Sequence, residues 1–265
     1  MFPKISIVTP SLNQGRFVEE CIQSVLAQKY PNFEHIVVDG GSTDNTLEVL
    51  KQYPHLQWIS EPDRGSSDAI NKGFRMASGD IVGWIGTDDR YLGNCFERVV
   101  AYLAANPAID IVYGNYNWID VDGNLLQRRY ELDFDLFMLK YLHILYIPVV
   151  ATFFKQKIFC EDNYLSPDYN YANDYEFILR LALKGYQFGH IRSFLSDFRW
   201  HSTSNSTLAS AQQTQEQERA LLELDTFLGR VESIALRQSL YKLLKLLART
   251  KRYILKGAYG YYFSS

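Results

Sequence analysis

The stretch Gly79-Asp80-Ile81-Val82-Gly83-Trp84-Ile85-Gly86-Thr87-Asp88-Asp89 sets the frame for the fold. Ile81 to Ile85 is an apolar run too brief for a helix and bracketed by glycine and acid, which predicts a buried strand. Asp88 and Asp89 follow where that strand ends. In an open α/β sheet, ligands sit beyond the carboxyl ends of the strands. Adjacent aspartates there repel one another, so a site that keeps both ionised offers them a cation. The competing reading is a loop with two solvated acids. Other polar clusters at strand ends in the same half of the chain favour the site.

Working outward, Ile5 to Thr9 is a strand broken by Pro10, and Phe17, Val18, Cys21, Ile22, Val25 and Leu26 form one helical stripe. Glu34 to Asp39 is the second strand. A helix from Leu47 to Gln52 follows, with Asn45 and Glu48 spaced as a capping box. Gln57 to Ile59 is a short strand and Ser67 to Ala77 a helix. Such strand–helix alternation predicts an α/β fold with parallel strands and right-handed crossovers. After a helix over Cys95–Ala105 the rhythm changes. Asp122-Gly123 marks a hairpin between Ile109–Asp120 and Leu125–Tyr130. Phe134–Leu142 reads as helix, Val149–Phe154 as extended, and Asn173–Lys184 as a helix ended by Gly185. Phe188–Ile191 and Phe194–Trp200 read as two strands. A polar break over 202–207 divides a first domain, 1–206, from a helical extension, 207–265; within the first, 1–105 and 106–206 form two halves.

Bulk properties exclude several classes. The 265 residues are 47% hydrophobic and 22% charged, an ordinary globular balance. A net charge of −3 gives nucleic acid no attraction as principal partner. Cys21, Cys95 and Cys160 are scattered and odd in number, which argues against disulfides or a zinc site. The first residues lack the layout of a signal peptide, and no window has the run of about 20 apolar residues that spans a membrane; both predict a cytoplasmic protein. The 19 tyrosines and 16 phenylalanines exceed what a minimal core needs and suit carbohydrate surfaces.

Strand exits carry the polar chemistry. Thr9-Pro10-Ser11-Leu12-Asn13 supplies hydroxyl and amide groups. Asp39 precedes Gly40 and Gly41, a carboxylate beside backbone that allows close approach, which suits a ribose or base edge. Neither Gly-x-Gly-x-x-Gly nor a P-loop pattern is present. Ser42, Thr43 and Asp44 also suit helix capping. Taken with Asp68-Ala69-Ile70-Asn71-Lys72-Gly73 and the run ending in Asp88-Asp89, these stretches resemble, in order, the family 2 glycosyltransferases of the GT-A fold.

That resemblance implies a mixed sheet flanked by helices. It further implies inverting transfer of one sugar from a nucleoside-diphosphate sugar, UDP-linked, to a hydroxyl of a saccharide or lipid-linked acceptor, with Mn²⁺ or Mg²⁺. Residue by residue, Asp39 resembles the acid at the nucleoside base, with Thr9, Pro10, Asn13 and Gly41 around the same pocket. Asp68 and Asn71 match the region that approaches the diphosphate or sugar. Asp88, after Thr87, falls on the last acid of the Asp-x-Asp metal motif, whose first acid is here Gly86. Asp174 matches the catalytic base, with Glu176 as the alternative, and His201 resembles the histidine that closes over metal and diphosphate. Ser196 stands where processive synthases have the glutamine of Gln-x-x-Arg-Trp, which favours single-sugar transfer. Tyr116, Trp118 and Tyr146 fall on the acceptor side, as stacking faces or as core.

Two other classes compete. A sugar nucleotidyltransferase needs a glycine-rich, basic loop after the first strand, where Ser11–Arg16 has one glycine and one arginine. A non-catalytic nucleotide-sugar binder is made credible by Gly86 and by Asn173, which stands where Glu is frequent in the family. Beyond Arg237 every charge to Lys256 is basic, with leucines at near-helical spacing and terminal aromatics through Phe263. This predicts a peripheral membrane contact through 237–265, or else a helix packed on the catalytic domain or on a second copy.

Overall fold

The computed structural model describes residues 2–142, 145–201, 210–225 and 233–261. Four parallel strands open the fold: β1 (Ile5–Ser11), β2 (Phe33–Asp39), β3 (Leu56–Ser60) and β4 (Ile81–Trp84). Between them run α1 (Val18–Leu26), α2 (Thr46–Leu50) and α3 (Ser66–Met76). The second half adds β5 (Arg90–Tyr91), α4 (Cys95–Ala105), β6 (Ile111–Ile119), β7 (Leu125–Arg129), α5 (Leu136–Tyr141), β8 (Thr152–Lys155), α6 (Lys157–Cys160), α7 (Asn173–Leu183) and β9 (Phe188–Arg199). Among the described residues all nine strands share one mixed sheet, ordered β3-β2-β1-β4-β8-β6-β9-β5, with β7 paired to β6.

Alternation along the strands splits the core into two layers. Ile5, Ile7, Ile81 and Phe153 face α1 and α4, whereas Val8, Val82, Trp84 and Phe154 face α3 and α7. On that second face Trp84 stacks on Phe154 at 5.8 Å. Helix α3 lies close to β1 because Gly73 has no side chain; a β-carbon there would sit 2.2 Å from Val8 Cγ1. Gly73→Ala should therefore cost about 1–3 kcal/mol through overpacking, read as a lower denaturant midpoint at unchanged slope.

Several local expectations need correction. The Asn45–Glu48 capping box is absent: Asn45 makes no side-chain cap, and Asp44 Oδ1 instead accepts from Thr46 N at 3.0 Å. Val149–Ala151 is a 3₁₀ turn before β8, not strand. The two strands expected over 188–200 are one, β9, whose register with β6 shifts on either side of Asn115.

The helical extension is not a loose appendage. Helix α8 (Ser210–Leu224) buries Ala220 and Leu221 in the same cluster as α7, and helix α9 (Ile234–Ala258) adds Ala248. Asp225 pairs with Lys140 at 2.8 Å and accepts from Tyr141 Oη at 2.9 Å. Lys256 Nζ donates to Tyr130 O at 2.9 Å, and Tyr261 stacks on Tyr130 at 5.1 Å. The expected boundary at 206/207 and the end of the tail at Tyr262 and Phe263 lie outside the described residues. Among the described residues no helix is long and apolar enough to cross a membrane.

Candidate active site

β1 and β4 pair in parallel, so their carboxyl ends deliver Pro10–Leu12 and Gly86–Asp88 to the same edge of the sheet. Together with the start of α3 they line a cavity of about 480 Å³. Gly65, Ser66 and Ala69 of that helix region face it. Such a helix start presents unpaired N–H groups and the positive end of the dipole, which suits an anion. Asp88 and His201 close the opposite wall, with His201 Nε2 2.9 Å from Asp88 Oδ2. Thr87 lines the same cavity while its hydroxyl donates to Pro10 O, tying the two strand exits together.

Gly86, where the resemblance places the first acid of the Asp-x-Asp motif, leaves room that two neighbouring carboxylates occupy. A β-carbon there would lie 2.7 Å from Asp88 Oδ1 and 2.8 Å from Asp89 Oδ2, so a side chain would displace a carboxylate. Asp89 is buried and its Oδ1 accepts from Arg199 N at 2.8 Å. Burial, and then the neighbouring Asp88 charge, push its carboxyl well above the ordinary range. Arg199, itself 1% exposed, is the staple that sequence reading missed. Its guanidinium donates to Asp88 O at 2.8 Å, Val121 O at 3.0 Å, Asp120 O at 3.1 Å and Glu20 Oε2 at 2.5 Å.

Other expected ligand groups are committed elsewhere. Asp39 is fully buried and outside the cavity lining. It accepts from Gly41 N at 3.1 Å, Ser42 N at 2.9 Å and Ser42 Oγ of its own loop, and from Ser60 Oγ at 2.6 Å at the end of β3. Gly41 serves that loop through a positive φ of 90°. Thr9 points into the core, where Oγ1 lies 2.9 Å from His35 Nε2. Asn13 braces the loops, its Oδ1 accepting from Thr43 N at 2.8 Å. Asn71 clamps the backbone of Leu165, donating to its O at 2.8 Å and accepting from its N at 2.9 Å. Asp68 pairs with Lys72 at 3.4 Å. For α3 the motif identified the right helix, but the cavity takes its neighbouring face.

A second cavity, about 490 Å³, adjoins the first; Gly86 and Phe198 line both. Asp174 lines it from the first turn of α7, its Oδ1 accepting from Tyr175 N at 2.7 Å. Burial pushes its carboxyl up to about 6, aided by the Glu216 charge and opposed by backbone hydrogen bonds. Glu176 faces elsewhere, buried and paired with Arg180 at 2.6 Å. Tyr116 and Trp118 line this cavity, whereas Tyr146 is core and donates to Asp135 O at 2.9 Å. Gln213, Thr214 and Gln217 of α8 supply a wall that no local pattern announced. From the same helix, Glu216 accepts from Tyr171 N at 2.8 Å and Ala172 N at 2.9 Å, holding the loop that leads into Asp174.

This pair of cavities sits in a chain whose residues 6–164 match the family model described as glycosyl transferase family 2. A PGL/p-HBAD biosynthesis glycosyltransferase of Mycobacterium bovis (strain BCG / Pasteur 1173P2) is 32% identical over 143 residues, 48% of this chain and 56% of the relative. The match thus spans little more than half of that protein's length. An uncharacterised glycosyltransferase of Mycobacterium tuberculosis (strain CDC 1551 / Oshkosh) is 33% identical over 186 residues, 68% of this chain and 70% of the relative. Among solved structures, S. aureus TarS 1–349 with UDP-GlcNAc superposes with a TM-score of 0.67 at 17% identity, covering 84% of this chain and 67% of that one. The mannosyltransferase PcManGT of Pyrobaculum calidifontis, with GDP-Man and Mn²⁺, gives 0.63 at 17% identity, covering 94% and 74%. These structures share the fold. Over most of its described length, and through the strand exits that build the first cavity, the chain belongs to glycosyl transferase family 2.

Proposed function

We propose that the protein is an inverting glycosyltransferase that moves a single sugar from a nucleoside-diphosphate donor, UDP-linked, to an acceptor hydroxyl. One observation carries the reading: the Asp88–His201 cavity and the Asp174 cavity meet at Gly86 and Phe198. The diphosphate belongs at the start of α3, between Gly65–Ser66 and Asp88. Asp39 then acts indirectly, by shaping the rim that receives the nucleoside. At the junction the acceptor oxygen forms its bond to the anomeric carbon opposite the departing diphosphate, while the Asp174 oxygen not held by Tyr175 takes the hydroxyl proton. The carbon–oxygen bond to the diphosphate breaks, and attack from the far face inverts the centre. The nucleotide sugars in the two structural relatives support the donor class.

Asp88 and His201 fit Mn²⁺ or Mg²⁺. Such ions accept carboxylate oxygen, keep waters and take substrate phosphates as ligands. Among the described residues no group of three or more His, Cys, Asp or Glu is arranged to hold a metal ion alone, and on this reading phosphate oxygens complete the set. Bound there, the ion neutralises charge on the leaving diphosphate. UDP should raise the melting temperature in Mn²⁺ and raise it far less in EDTA, by about 2.7 kcal/mol of added stability at one hundred times its Kd. A screen in which no nucleoside diphosphate shifts the melt would overturn the donor assignment.

The same reading sets the enzyme at the inner face of an anionic membrane, working on a lipid-linked or saccharide acceptor. Helix α9 turns Leu243, Leu246, Leu247, Tyr253 and Ile254 outward, each about half exposed or more. Its charges from Arg237 to Lys256 are all basic. An apolar row edged by cations is the pattern of an interfacial helix. The full chain should co-sediment with phosphatidylglycerol vesicles and not with phosphatidylcholine, and Leu243→Glu with Leu247→Glu should release it. Equal pelleting of wild type and variant, or dimerisation through these residues, would remove the membrane assignment.

A further inference from the structure

A groove of about 490 Å³ lies between helices α8 and α9, within the range of small-ligand sites, about 300–1,000 Å³. Part of its lining is apolar: Leu221, buried in the core cluster, shares it with Leu222 and Tyr241. The rest is basic. Among the described residues that line it, Arg237, Lys242 and Lys245 of α9 stand against one acid, Glu218 of α8. Between Arg237 and Lys256 the helix has no acid of its own to offset them. Lys245 lies over the Tyr241 ring at 6.0 Å, and among the described residues neither Lys242 nor Lys245 has an ion-pair partner. Residues three apart are neighbours on a helix surface, so these two ammonium groups repel until an anion stands with them. Each cation of the groove is also the chain neighbour of a leucine that faces solvent. Leu236 beside Arg237, Leu243 beside Lys242 and Leu246 beside Lys245 are all more than half exposed. A free phosphate ester would use the cations and leave these leucines in water; a lipid uses both.

We propose that this groove holds the phosphate of an anionic glycerophospholipid, with Lys242 and Lys245 as its donors and the acyl chains along the outward leucines of α9. Charge-assisted hydrogen bonds from ammonium to phosphate are the strong kind, and the groove gives them a fixed place. The inference rests on the membrane contact proposed above and replaces a diffuse attraction with a bound headgroup. The two differ in a measurable way: a diffuse attraction depends on how many cations the helix carries, a site on which ones.

The test titrates the full chain with dioctanoyl phosphatidylglycerol below its micelle concentration and reads the heat of binding. Dioctanoyl phosphatidylcholine and glycerol phosphate are the comparison ligands. Phosphatidylglycerol should bind saturably and more tightly than either. Lys242→Gln with Lys245→Gln should weaken it roughly ten-fold or more. Arg249→Gln with Lys251→Gln removes the same charge from the same helix outside the groove, and should weaken it less. Lys242 is exposed and Lys245 half-buried, so the groove pair leaves the core intact, and an unchanged melting temperature checks this. No saturable binding, or equal weakening by the two pairs, overturns the site. Glycerol phosphate binding as tightly as the lipid makes the groove a site for free phosphate esters and overturns the lipid; phosphatidylcholine binding as tightly overturns the charge selection. Pelleting of the same proteins with phosphatidylglycerol vesicles separates the failures. Wild type that pellets while both pairs lose it alike leaves the membrane contact standing and removes the groove; wild type that stays in the supernatant removes the membrane contact and the inference with it.

Discussion

Asp174→Asn is expected to lower sugar transfer by about 10²–10⁴-fold while UDP still binds with Mn²⁺. The amide keeps the size of the side chain and removes its capacity to take the acceptor proton. Initial rates with saturating donor, beside a UDP thermal shift, separate lost chemistry from lost binding. Transfer within a few-fold of wild type would dismiss Asp174 as the base. The pH profile follows from the same carboxyl, held at about 6 by burial. Only the ionised form accepts a proton, so the acidic limb of the transfer rate should have its midpoint near that value. Stability runs the other way. Between the ordinary aspartate value and about 6 the native state holds a proton that the unfolded chain has lost, so stability falls as pH rises through this window. Asp174→Asn removes that penalty and should raise the melting temperature at pH 7 and above, by no more than about 3 kcal/mol of stability, and leave it unchanged near pH 3. A catalytic loss joined to a stability gain is the signature of a base whose carboxyl the fold holds above its ordinary range; a capping residue would lose stability when neutralised.

Arg199→Met should cost about 3–5 kcal/mol, the range found when one member of a buried charge network is removed. Asp88 O and Val121 O lose their donor, and Asp120 O and Glu20 Oε2 lose one of theirs, because Arg199 reaches all four from one planar fork, while Gly123 N still donates to Asp120 O and Arg90 to Glu20 Oε1. Lysine cannot restore this arrangement, having a single ammonium where four directions are needed. Arg199→Lys should therefore recover only a minor part of the stability in urea unfolding. Because the fork holds the main chain of Asp88, both variants should also weaken the Mn²⁺-dependent thermal shift with UDP. Stability within about 1 kcal/mol of wild type in Arg199→Met would show that the network is not a staple.

The first half of the fold was legible because its strands are short apolar runs closed by glycine, proline or acid. Ile5–Thr9, Glu34–Asp39 and Ile81–Ile85 each fall within a residue or two of an observed strand. Helix Cys95–Ala105 begins and ends as its periodicity indicates. Elements created by pairing were not legible. Two-residue β5 exists through Asp197 and Ser196 of β9, and β9 crosses a bulge that local composition divides into two strands. For the site, the strand exits announce the cavity, but composition does not say which side chains the backbone uses for itself. Asp39 and Asn71 both carry the right chemistry in the right neighbourhood, but Asn71 is engaged by the main chain of Leu165 and Asp39 by main-chain N–H groups and serine hydroxyls that a linear reading cannot see. Glu216 carries no motif at all; the loop that it holds, at Tyr171 and Ala172, lies far away in the sequence.

On the proposed reading, helix α8 gives the C-terminal segment a part in selecting what is glycosylated. The first cavity is lined chiefly from the strand exits of the first ninety or so residues, with Phe198 and His201 added, whereas Gln213, Thr214 and Gln217 border the Asp174 cavity from a later helix. If so, the two diverge independently: substitutions on one face of a single late helix are expected to retune the recipient and leave the nucleotide grip untouched. A chimera that exchanges this helix face between relatives should carry recipient preference with it, and a truncation ahead of it would strip the enzyme of its choice of partner along with any anchor.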